Sequence, residues 1–502
     1  MPDTPYRTVI GLEVHVQLLT RTKLFCGCPT QFGLPPNSAT CPVCAGLPGA
    51  LPVMNRAAFD LALRAALALN CQIARFTKWD RKNYYYPDLP KNYQISQYDL
   101  PFSHDGWLEI DAGGGPRRVG ILRVHLEEDA GKMLHDEQGG GRDSLVDLNR
   151  SGTPLLEIVS KPDIGSPEEA KAYLEEIRLL MRELGVSDCE MQEGSLRCDA
   201  NVNLHVPLTP SPLSSGGRRG EGFAATPIVE VKNLNSFRAV ERALRYEAQR
   251  QYEEFQRTGR KLGDPGVTKA TAGWDDARGV TRIQRRKEEA SDYRYFPEPD
   301  LVPVVVDGAW LERVRGELGE LPAALRARLQ QEYGLSAYDA GVLTSQGRAF
   351  AGYFEEAARR CGDPKAAANW ATNQVLATLN ERKEGIDRFP ISAAALGDLI
   401  KEVQATGLNN QRAREVYADM LARGGSAKEA IDRLGFKPVA DAGQLAEVVR
   451  RAVAANPKAV ADFKKGKVKA ADAIKGFVMR ETKGMARADL VQQLVMEELQ
   501  KA

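Results

Sequence analysis

Two patterns of hydrophobic and polar positions divide the chain. From Tyr6 to about Leu301, short apolar runs with β-like spacing alternate with turns rich in Gly, Pro and Asn. Strands are predicted at 9–18, 119–126, 145–148 and 155–159. After the Pro-rich stretch 296–303, Ala, Leu, Glu, Lys and Arg recur with helical periodicity as far as the sequence runs. The pattern predicts an α+β half followed by an all-helical half.

Local signals refine this division. Ser166-Pro167-Glu168-Glu169 has the form of a capping box and predicts a helix that ends before Gly185. A second helix is predicted to begin near Ser236. The stretch 207–222 holds too much Gly, Ser and Pro to pack, and is predicted to be a mobile surface insertion.

Glycine-rich breaks at 407–410 and 424–425 divide the helical half. We therefore expect three domains, at 1–297, 298–408 and 409–502. A length of 502 residues also favours several domains, because one hydrophobic core rarely supports so long a chain.

Carboxylates interrupt the apolar strands of the first half in five places. In a strand, Glu13 and His15 point to one face and Leu12 and Val14 to the other. A carboxylate inside an apolar strand is costly unless it is paired or binds a cation. Each one alone is better explained by an ordinary edge-strand charge or a buried ion pair. Together they indicate an oxygen-rich magnesium site, and the other members are Glu127, Glu128, Glu157, Glu193, Asp199 and Glu230.

Four cysteines near the N-terminus have the spacing of a zinc knuckle over residues 26–44. They are Cys26, Cys28, Cys41 and Cys44, with turn-forming Gly and Pro beside each pair. Four thiolates leave no coordination position open, so the zinc ion would be structural. The alternative is four reduced cysteines in a loop.

Basic segments complement the carboxylates. Residues 78–88 and 281–288 combine Lys and Arg with aromatic or polar side chains, and suit nucleotide phosphates or an RNA 3′ end. No glycine-rich phosphate loop is present, so if ATP is used, it binds a non-Walker site. No nucleophile constellation typical of an amidase is present either.

The tail carries a basic region at 458–487, with nine basic and three acidic residues. This excess suits a phosphate backbone, although a solvated helix surface explains it as well.

The bulk composition is that of an ordinary globular protein, with 43% hydrophobic and 27% charged residues. No apolar run is long enough to span a membrane, and the first ten residues do not have the pattern of a signal or transit peptide. Eight cysteines, four of them at metal spacing, favour a reducing compartment. We expect a cytoplasmic protein with no membrane partner.

Seven segments together resemble the GatB/GatE family, the B subunits of tRNA-dependent amidotransferases. They are Val-Ile-Gly-Leu-Glu-Val-His-Val-Gln at 9–17, Asp-Arg-Lys-Asn-Tyr-Tyr-Tyr-Pro-Asp within 80–99, His-Leu-Glu-Glu-Asp-Ala-Gly-Lys at 125–132, Ser-Leu-Val-Asp-Leu-Asn-Arg at 144–150, Glu-Gly-Ser-Leu-Arg-Cys-Asp-Ala-Asn at 193–201, Lys-Asn-Leu-Asn-Ser-Phe at 232–237 and Asp-Tyr-Arg-Tyr-Phe-Pro at 292–297. The resemblance covers nearly the whole chain.

The resemblance implies a cradle-shaped α+β catalytic domain, a helical domain and a YqeY-like tail that binds the tRNA body. It implies that ATP phosphorylates the side-chain carboxylate of Glu-tRNA(Gln) or Asp-tRNA(Asn), and that ammonia then displaces the phosphate. The ammonia would come from a glutaminase subunit, GatA, which forms a heterotrimer with this chain and the small GatC. The cofactors implied are ATP, magnesium and structural zinc.

The resemblance also assigns roles to residues. Glu13, His15, Glu128 and Glu157 are the expected magnesium ligands, and Glu127, Glu193, Asp199 and Glu230 are further candidates. His15 would alternatively orient a carboxylate. Arg81 and Lys82 are expected to be catalytic, Asn201, Lys232, Arg282 and Arg285 to bind ATP, and Lys464, Lys465, Lys467, Lys469 and Lys475 to bind tRNA.

Two features depart from the family pattern, namely Gln192 in place of a glutamate and the insertion after Val206. Two other functions remain open: a noncatalytic tRNA-binding zinc protein, and a free-standing synthetase that takes ammonia from solution. The carboxylates within apolar strands argue against the noncatalytic protein.

Overall fold

The computed structural model describes residues 5–135, 144–207, 222–286, 293–436, 442–465, 468–482, 486 and 488–501. Most of the predicted mobile insertion, residues 208–221, lies outside the described residues. The chain forms two compact units, Met1–Leu321 and Pro322–Ala502. The α+β character of the first and the helical character of the second confirm the predicted fold class.

The first unit contains mostly strands. They are β1 (Arg7–Gln17), β2 (Gln72–Ile73), β3 (Phe76–Thr77), β4 (Asp80–Asn83), β5 (Tyr93–Ser96), β6 (Ser103–Asp111), β7 (Pro116–Glu128), β8 (Lys132–His135), β9 (Ser144–Asp147), β10 (Pro154–Ser160), β11 (Leu196–Pro207), β12 (Phe223–Ala225), β13 (Val229–Lys232), β14 (Ala270–Asp275), β15 (Val280–Arg286), β16 (Phe296–Pro297) and β17 (Val304–Val305). Its helices are α1 (Arg56–Ala68), α2 (Pro167–Glu183), α3 (Phe237–Thr258) and α4 (Gly308–Gly316).

One large sheet organises this unit. Its strand order is β15-β14-β13-β11-β1-β10-β7-β6-β2, with β12 beside β11. Neighbouring strands are antiparallel except β13 and β14, which are parallel. The long strand β1 therefore lies at the centre, between β11 and β10.

The two faces of the sheet differ because its strands alternate. On β1, Leu12, Val14 and Val16 are fully buried in the hydrophobic core, to which α1, α2 and α3 also contribute. The intervening side chains Glu13 and His15 lie on the other face, as predicted. That polar face carries most of the predicted magnesium ligands.

The predicted helix starts are confirmed, with one difference. The Ser166 hydroxyl accepts a hydrogen bond from the Glu169 backbone N–H at the start of α2. The Glu169 carboxylate accepts from the Gly165 N–H at 2.7 Å, one residue before the expected capping-box donor. Ser236 caps α3 in the same way, through Ala239.

The second unit is helical. Its helices are α5 (Pro322–Tyr333), α6 (Ala337–Ser345), α7 (Arg348–Cys361), α8 (Pro364–Trp370), α9 (Leu376–Arg382), α10 (Ala393–Thr406), α11 (Asn410–Arg423), α12 (Ala427–Arg433), α13 (Ala442–Ala455), α14 (Pro457–Lys464), α15 (Ala471–Glu481) and α16 (Ala488–Lys501). One core extends from Leu325 to Phe436 and a second from Leu445 to Leu499.

The domain boundaries at 297/298 and 408/409 stay predictions. Among the described helices, none is both long enough and apolar enough to cross a membrane.

Candidate functional site

A cluster of histidines and glutamates forms where three central strands meet. His15 on β1 is the direct neighbour of Glu157 on β10, and Glu157 is the direct neighbour of His125 on β7. Glu157 Oε2 lies 3.6 Å from His15 Nε2 and 3.3 Å from His125 Nε2. Glu127, two residues after His125, lies 3.9 Å from each imidazole. We call these four residues the His/Glu cluster.

The His/Glu cluster is a set of mutually stabilised charges. Burial alone would lower the pKa of His125, but the Glu157 and Glu127 carboxylates outweigh it and raise that pKa to about 9. Burial opposes ionisation of Glu157 too, yet His125 and His15 hold its pKa well below the ordinary range. Without a metal, these pairings favour the ionised form of both carboxylates and the protonated form of both imidazoles.

The same side chains fit a divalent cation. Ligand atoms of His15, Glu127 and Glu157 all lie within 4.8 Å of one another. One imidazole and two carboxylates suit manganese or zinc as well as magnesium, which prefers oxygen ligands and usually retains water. Binding would require His15 to be neutral, so a cation and a proton compete there.

Glu128 does not belong to this cluster. Its carboxylate forms an ion pair with Lys91 and accepts a hydrogen bond from the Ile95 N–H at 2.9 Å. The side chain is buried. Since successive residues of a strand point to opposite faces, Glu127 shares the face of His125, whereas Glu128 does not.

Glu13 belongs to a second polar group on the same face of the sheet. Its carboxylate accepts a hydrogen bond from Asn201 Nδ2 at 2.9 Å. Nearby, Lys232 forms ion pairs with Asp199 and with Glu230, the latter at 3.0 Å. These two carboxylates raise the pKa of Lys232 although burial opposes this. Lys232 therefore already offsets much of their charge.

Glu193 has a different setting. It is an exposed residue of the turn that precedes β11. Of the expected magnesium ligands, the structure brings His15, Glu127 and Glu157 together into one possible metal-binding group.

Lys82 is directed toward the His/Glu cluster. Its ammonium lies 5.2 Å from the centre of the Tyr293 ring and 5.9 Å from that of Tyr84. Burial would lower the pKa of Lys82, but Glu127, Tyr295 and Glu157 raise it overall. A cation bordered by tyrosine rings is thus within electrostatic range of the two carboxylates.

Arg81, the neighbour of Lys82 on β4, has a different environment. Its guanidinium binds both oxygens of the buried Glu298 carboxylate, at 2.6 and 2.8 Å, and lies over the Tyr93 ring. This bidentate pair joins β4 to the chain that follows β16. Arg81 is therefore bound in place by protein groups.

The predicted ATP-binding arginines lie on β15. Arg282 is exposed and lies 3.4 Å from the Asp275 carboxylate. Arg285 pairs with Thr271 in the sheet, but its side chain lies outside the described residues.

The four cysteines gather as predicted. Their sulfur atoms all lie within 4.8 Å of one another, and Cys41 Sγ is 3.9 Å from Cys44 Sγ. The thiols differ in pKa: that of Cys44 is lowered to about 4, chiefly by a hydrogen bond from Cys26, while burial raises that of Cys28 to about 11. Four sulfurs at this separation fit zinc, which would draw all of them into the thiolate form.

A buried cation lies against this group. Lys23 is fully buried, with its ammonium 2.8 Å from the Ala39 carbonyl and 3.5 Å from Cys44 Sγ. It also donates to the Leu148 carbonyl at 3.3 Å. Lys23 therefore joins the knuckle to the segment before β10 and offsets part of the negative charge that four thiolates would carry.

Those predicted tRNA-binding lysines that are described lie on or between α14 and α15 of the helical unit. Lys464 ends α14 and is exposed, as are Lys465 and Lys469. Lys475 is half-buried on α15, and Lys467 lies outside the described residues.

Sequence reasoning missed three contributors to the polar face. His125 is one, although the spacing rule that joins Glu13 to His15 also joins His125 to Glu127. Asp129 is another: its carboxylate lies 2.8 Å from an Arg197 nitrogen and 3.6 Å from Arg150. Arg123 is the third, and its Nε is buried without a hydrogen-bond partner among the described residues.

Comparison with known proteins gives a full-length match. The family profile of the GatB/GatE catalytic domain matches residues 8–312, and that of the GatB domain with YqeY similarity matches residues 352–499. Three relatives are named as the B subunit of an aspartyl/glutamyl-tRNA(Asn/Gln) amidotransferase. That of Rhodopirellula baltica is 50% identical over 98% of this chain and 97% of its own length. That of Carboxydothermus hydrogenoformans is 48% identical over 99% of both chains, and that of Moorella thermoacetica is 49% identical over 98% of this chain and 100% of its own.

Proposed function

Since the chain belongs to the GatB/GatE family, we propose that it is the component of a tRNA-dependent amidotransferase that converts Glu-tRNA(Gln), Asp-tRNA(Asn) or both into the amidated aminoacyl-tRNA. The observation that carries this proposal is the His/Glu cluster with Lys82 beside it, on the polar face of a sheet whose other face is core. The reaction consumes one ATP for each amide formed.

Two steps account for the chemistry. An oxygen of the substrate carboxylate attacks the γ-phosphorus of ATP, the bond from that phosphorus to the β,γ-bridging oxygen breaks, and ADP leaves. Ammonia then attacks the acyl carbon, inorganic phosphate leaves with the carbon–oxygen bond electrons, and a proton is released as the amide forms. The reactants of the first step are all anions, so the site must supply positive charge.

The chain's own residues supply that charge and hold the reactants. His15, Glu127 and Glu157 would hold a magnesium ion, which when bound offsets charge on the transferring phosphoryl group. Lys82 would stabilise the anionic acyl phosphate, which its charge near Glu127 and Glu157 supports. His125 keeps Glu157 ionised and oriented through its 3.3 Å contact.

The second polar group and the basic segments are assigned to substrate binding. Asn201 and Lys232, with Arg282 and Arg285, would contact ATP, and Glu13, Asp199 and Glu230 would hold water or a further cation. The exposed lysines at 464, 465 and 469 would contact the tRNA body, as would Lys467 and Lys475. The four-cysteine site would hold structural zinc.

The family resemblance implies the partners. A glutaminase subunit of the GatA type would provide ammonia and a small GatC subunit would complete a heterotrimer, which agrees with the lack of an amidase constellation in this sequence. We place the reaction in the cytoplasm. The domains proposed are a cradle at 1–297, a helical domain at 298–408 and a tRNA-binding tail at 409–502.

The test uses the reconstituted heterotrimer with ammonium chloride in place of glutamine. Glu157→Gln preserves shape and removes charge, and should abolish tRNA-dependent ATP cleavage and amide formation. Glutamine hydrolysis by the partner should persist. Normal ammonia-supported amidation by this variant would favour the noncatalytic tRNA-binding protein instead.

A further inference from the structure

Two tyrosines form an exposed aromatic stack. The rings of Tyr98 and Tyr295 lie 4.0 Å apart between centroids and are inclined by only 9°. Tyr98 nevertheless remains 51% exposed. Tyr295 covers one face of the Tyr98 ring while about half of the residue stays exposed, so the uncovered part of the ring can accept a further flat ring.

The stack adjoins the His/Glu cluster. Tyr295 lies edge-on to Tyr293, which in turn lies beside the Lys82 ammonium. Burial and the nearby carboxylates Glu127 and Glu157 raise the pKa of Tyr295 to about 12, although Lys82 opposes this. The inner ring of the stack is therefore within electrostatic range of the groups assigned to phosphoryl transfer.

A cation that forms no ion pair with the described residues lies on the same side. Arg123 precedes His125 by two residues on β7, so it shares the face of the cluster. Its Nε is buried without a hydrogen-bond partner, and no carboxylate of the described residues forms an ion pair with its guanidinium. The charge of Arg123 opposes the rise in the pKa of Tyr295, so the two side chains lie within electrostatic range of each other. A guanidinium in this state suits a phosphate.

We propose that the exposed face of Tyr98 stacks an adenosine ring and that Arg123 binds a phosphate attached to that nucleoside. The inference rests on the proposed function and adds to it the binding site of the base. Both proposed substrates carry this chemistry, ATP in its adenine and aminoacyl-tRNA in its 3′-terminal adenosine. Stacking on tyrosine does not discriminate between them.

The experiment compares Tyr98→Leu and Tyr98→Phe in the full heterotrimer. Tyr338→Leu is the control, since Tyr338 is 78% exposed and lies in the helical unit. One arm measures the affinity for a nonhydrolysable ATP analogue with magnesium. The other compares tRNA with and without its terminal adenosine. Unchanged thermal unfolding would show that each variant is folded.

Tyr98→Leu removes the stacking ring and should weaken the binding of either the ATP analogue or the tRNA, roughly 5-fold or more. We expect this loss in one arm only. Weaker binding of the ATP analogue by Tyr98→Leu identifies the adenine of ATP. Loss of the preference for the terminal adenosine identifies the tRNA end. Tyr98→Phe should retain wild-type affinity, because the ring alone carries the interaction.

The inference fails if Tyr98→Leu matches Tyr338→Leu in both arms while the wild-type protein binds ATP and amidates tRNA. A wild-type heterotrimer that neither cleaves ATP nor amidates tRNA would contradict the proposed function itself. Arg123→Gln provides a second measure: it should weaken binding in the same arm as Tyr98→Leu.

Discussion

His15 and Glu157 are direct neighbours across the pairing of β1 with β10, and their side chains meet 3.6 Å apart. A histidine and a glutamate in this position can share a proton or a metal ion. Glu127 and His125 lie around this pair. A change in charge at any of the four residues therefore alters how tightly the pair binds a proton or a metal ion.

We predict that Glu157→Gln lowers the affinity for manganese, used as a probe of the divalent site, at least about 10-fold. The reason is that the substitution removes one of the two carboxylates from a set of three ligands. Titration followed by electron paramagnetic resonance measures free manganese directly. Glu128→Gln is the matched control, because Glu128 faces Lys91 and should leave the affinity unchanged.

Glu128→Gln should instead destabilise the first unit, by about 3 kcal/mol, because it leaves the buried Lys91 ammonium without its counter-charge. Lys91→Met in the same chain should restore part of the loss, and urea unfolding of the single and double variants measures both. If Glu128→Gln removed the metal while stability stayed intact, Glu128 would be a ligand, as the sequence resemblance implies.

Stability in acid should depend on Asp129. Burial would raise the pKa of this carboxyl, but Arg197, Arg150 and Gln17 hold it below its ordinary value of 3.8. A carboxyl with a depressed pKa stabilises the fold above pH 3.8, and this contribution is lost as the pH falls toward the lower native value.

Asp129→Asn should therefore lower the free energy of unfolding near neutral pH, and the deficit should shrink below about pH 4. Unfolding by urea at a series of pH values gives this difference. The exposed Asp387→Asn provides the baseline, with no deficit expected at any pH. If the deficit in the free energy of unfolding grew in acid, the pKa of Asp129 would be raised on folding instead of lowered. That result would contradict the prediction.

Zinc should bind with one ion per chain, and Cys41→Ser should remove it together with part of the thermal stability. The loss of thermal stability is expected to be large because a structural zinc site contributes its binding energy to folding. Elemental analysis after purification without chelator measures the stoichiometry. Cys361→Ser, at a buried cysteine of the helical unit, should retain the metal.

Replacement of Lys464, Lys465 and Lys469 by Gln should weaken tRNA binding and flatten its dependence on salt. Removing one lysine–phosphate interaction should reduce the slope of log affinity against log salt by about 0.7 to 0.9. Filter binding between low and moderate salt measures the slope. An unchanged slope would show that these lysines are merely solvated.

The sequence determined which face each side chain occupies but not which side chains meet. Alternation alone was enough to place Glu13 and His15 opposite the core. The choice between Glu127 and Glu128 followed the resemblance, whereas strand parity favours Glu127. The pairing of His15 with Glu157 depends on the register between two strands far apart in sequence, which no local pattern contains.

Long-range pairs explain the other differences. Arg81 lies in a basic segment that suits phosphate, yet Glu298, 217 residues later, occupies its guanidinium. The stack of Tyr98 on Tyr295 likewise joins distant parts of the chain. Local composition could show that charges and rings were available, but only the tertiary fold decides which of them neutralise one another.

The strict alternation of β1 limits how this protein can vary in length. Deleting a single residue before Glu13 within the strand would turn the His15 imidazole toward the helices and bring Val14 to the polar face. A point substitution would be less damaging than this shift of the whole side-chain pattern. Natural insertions and deletions should therefore be confined to the connections between strands, and a survey of length variation among relatives would locate the central strands without any structure.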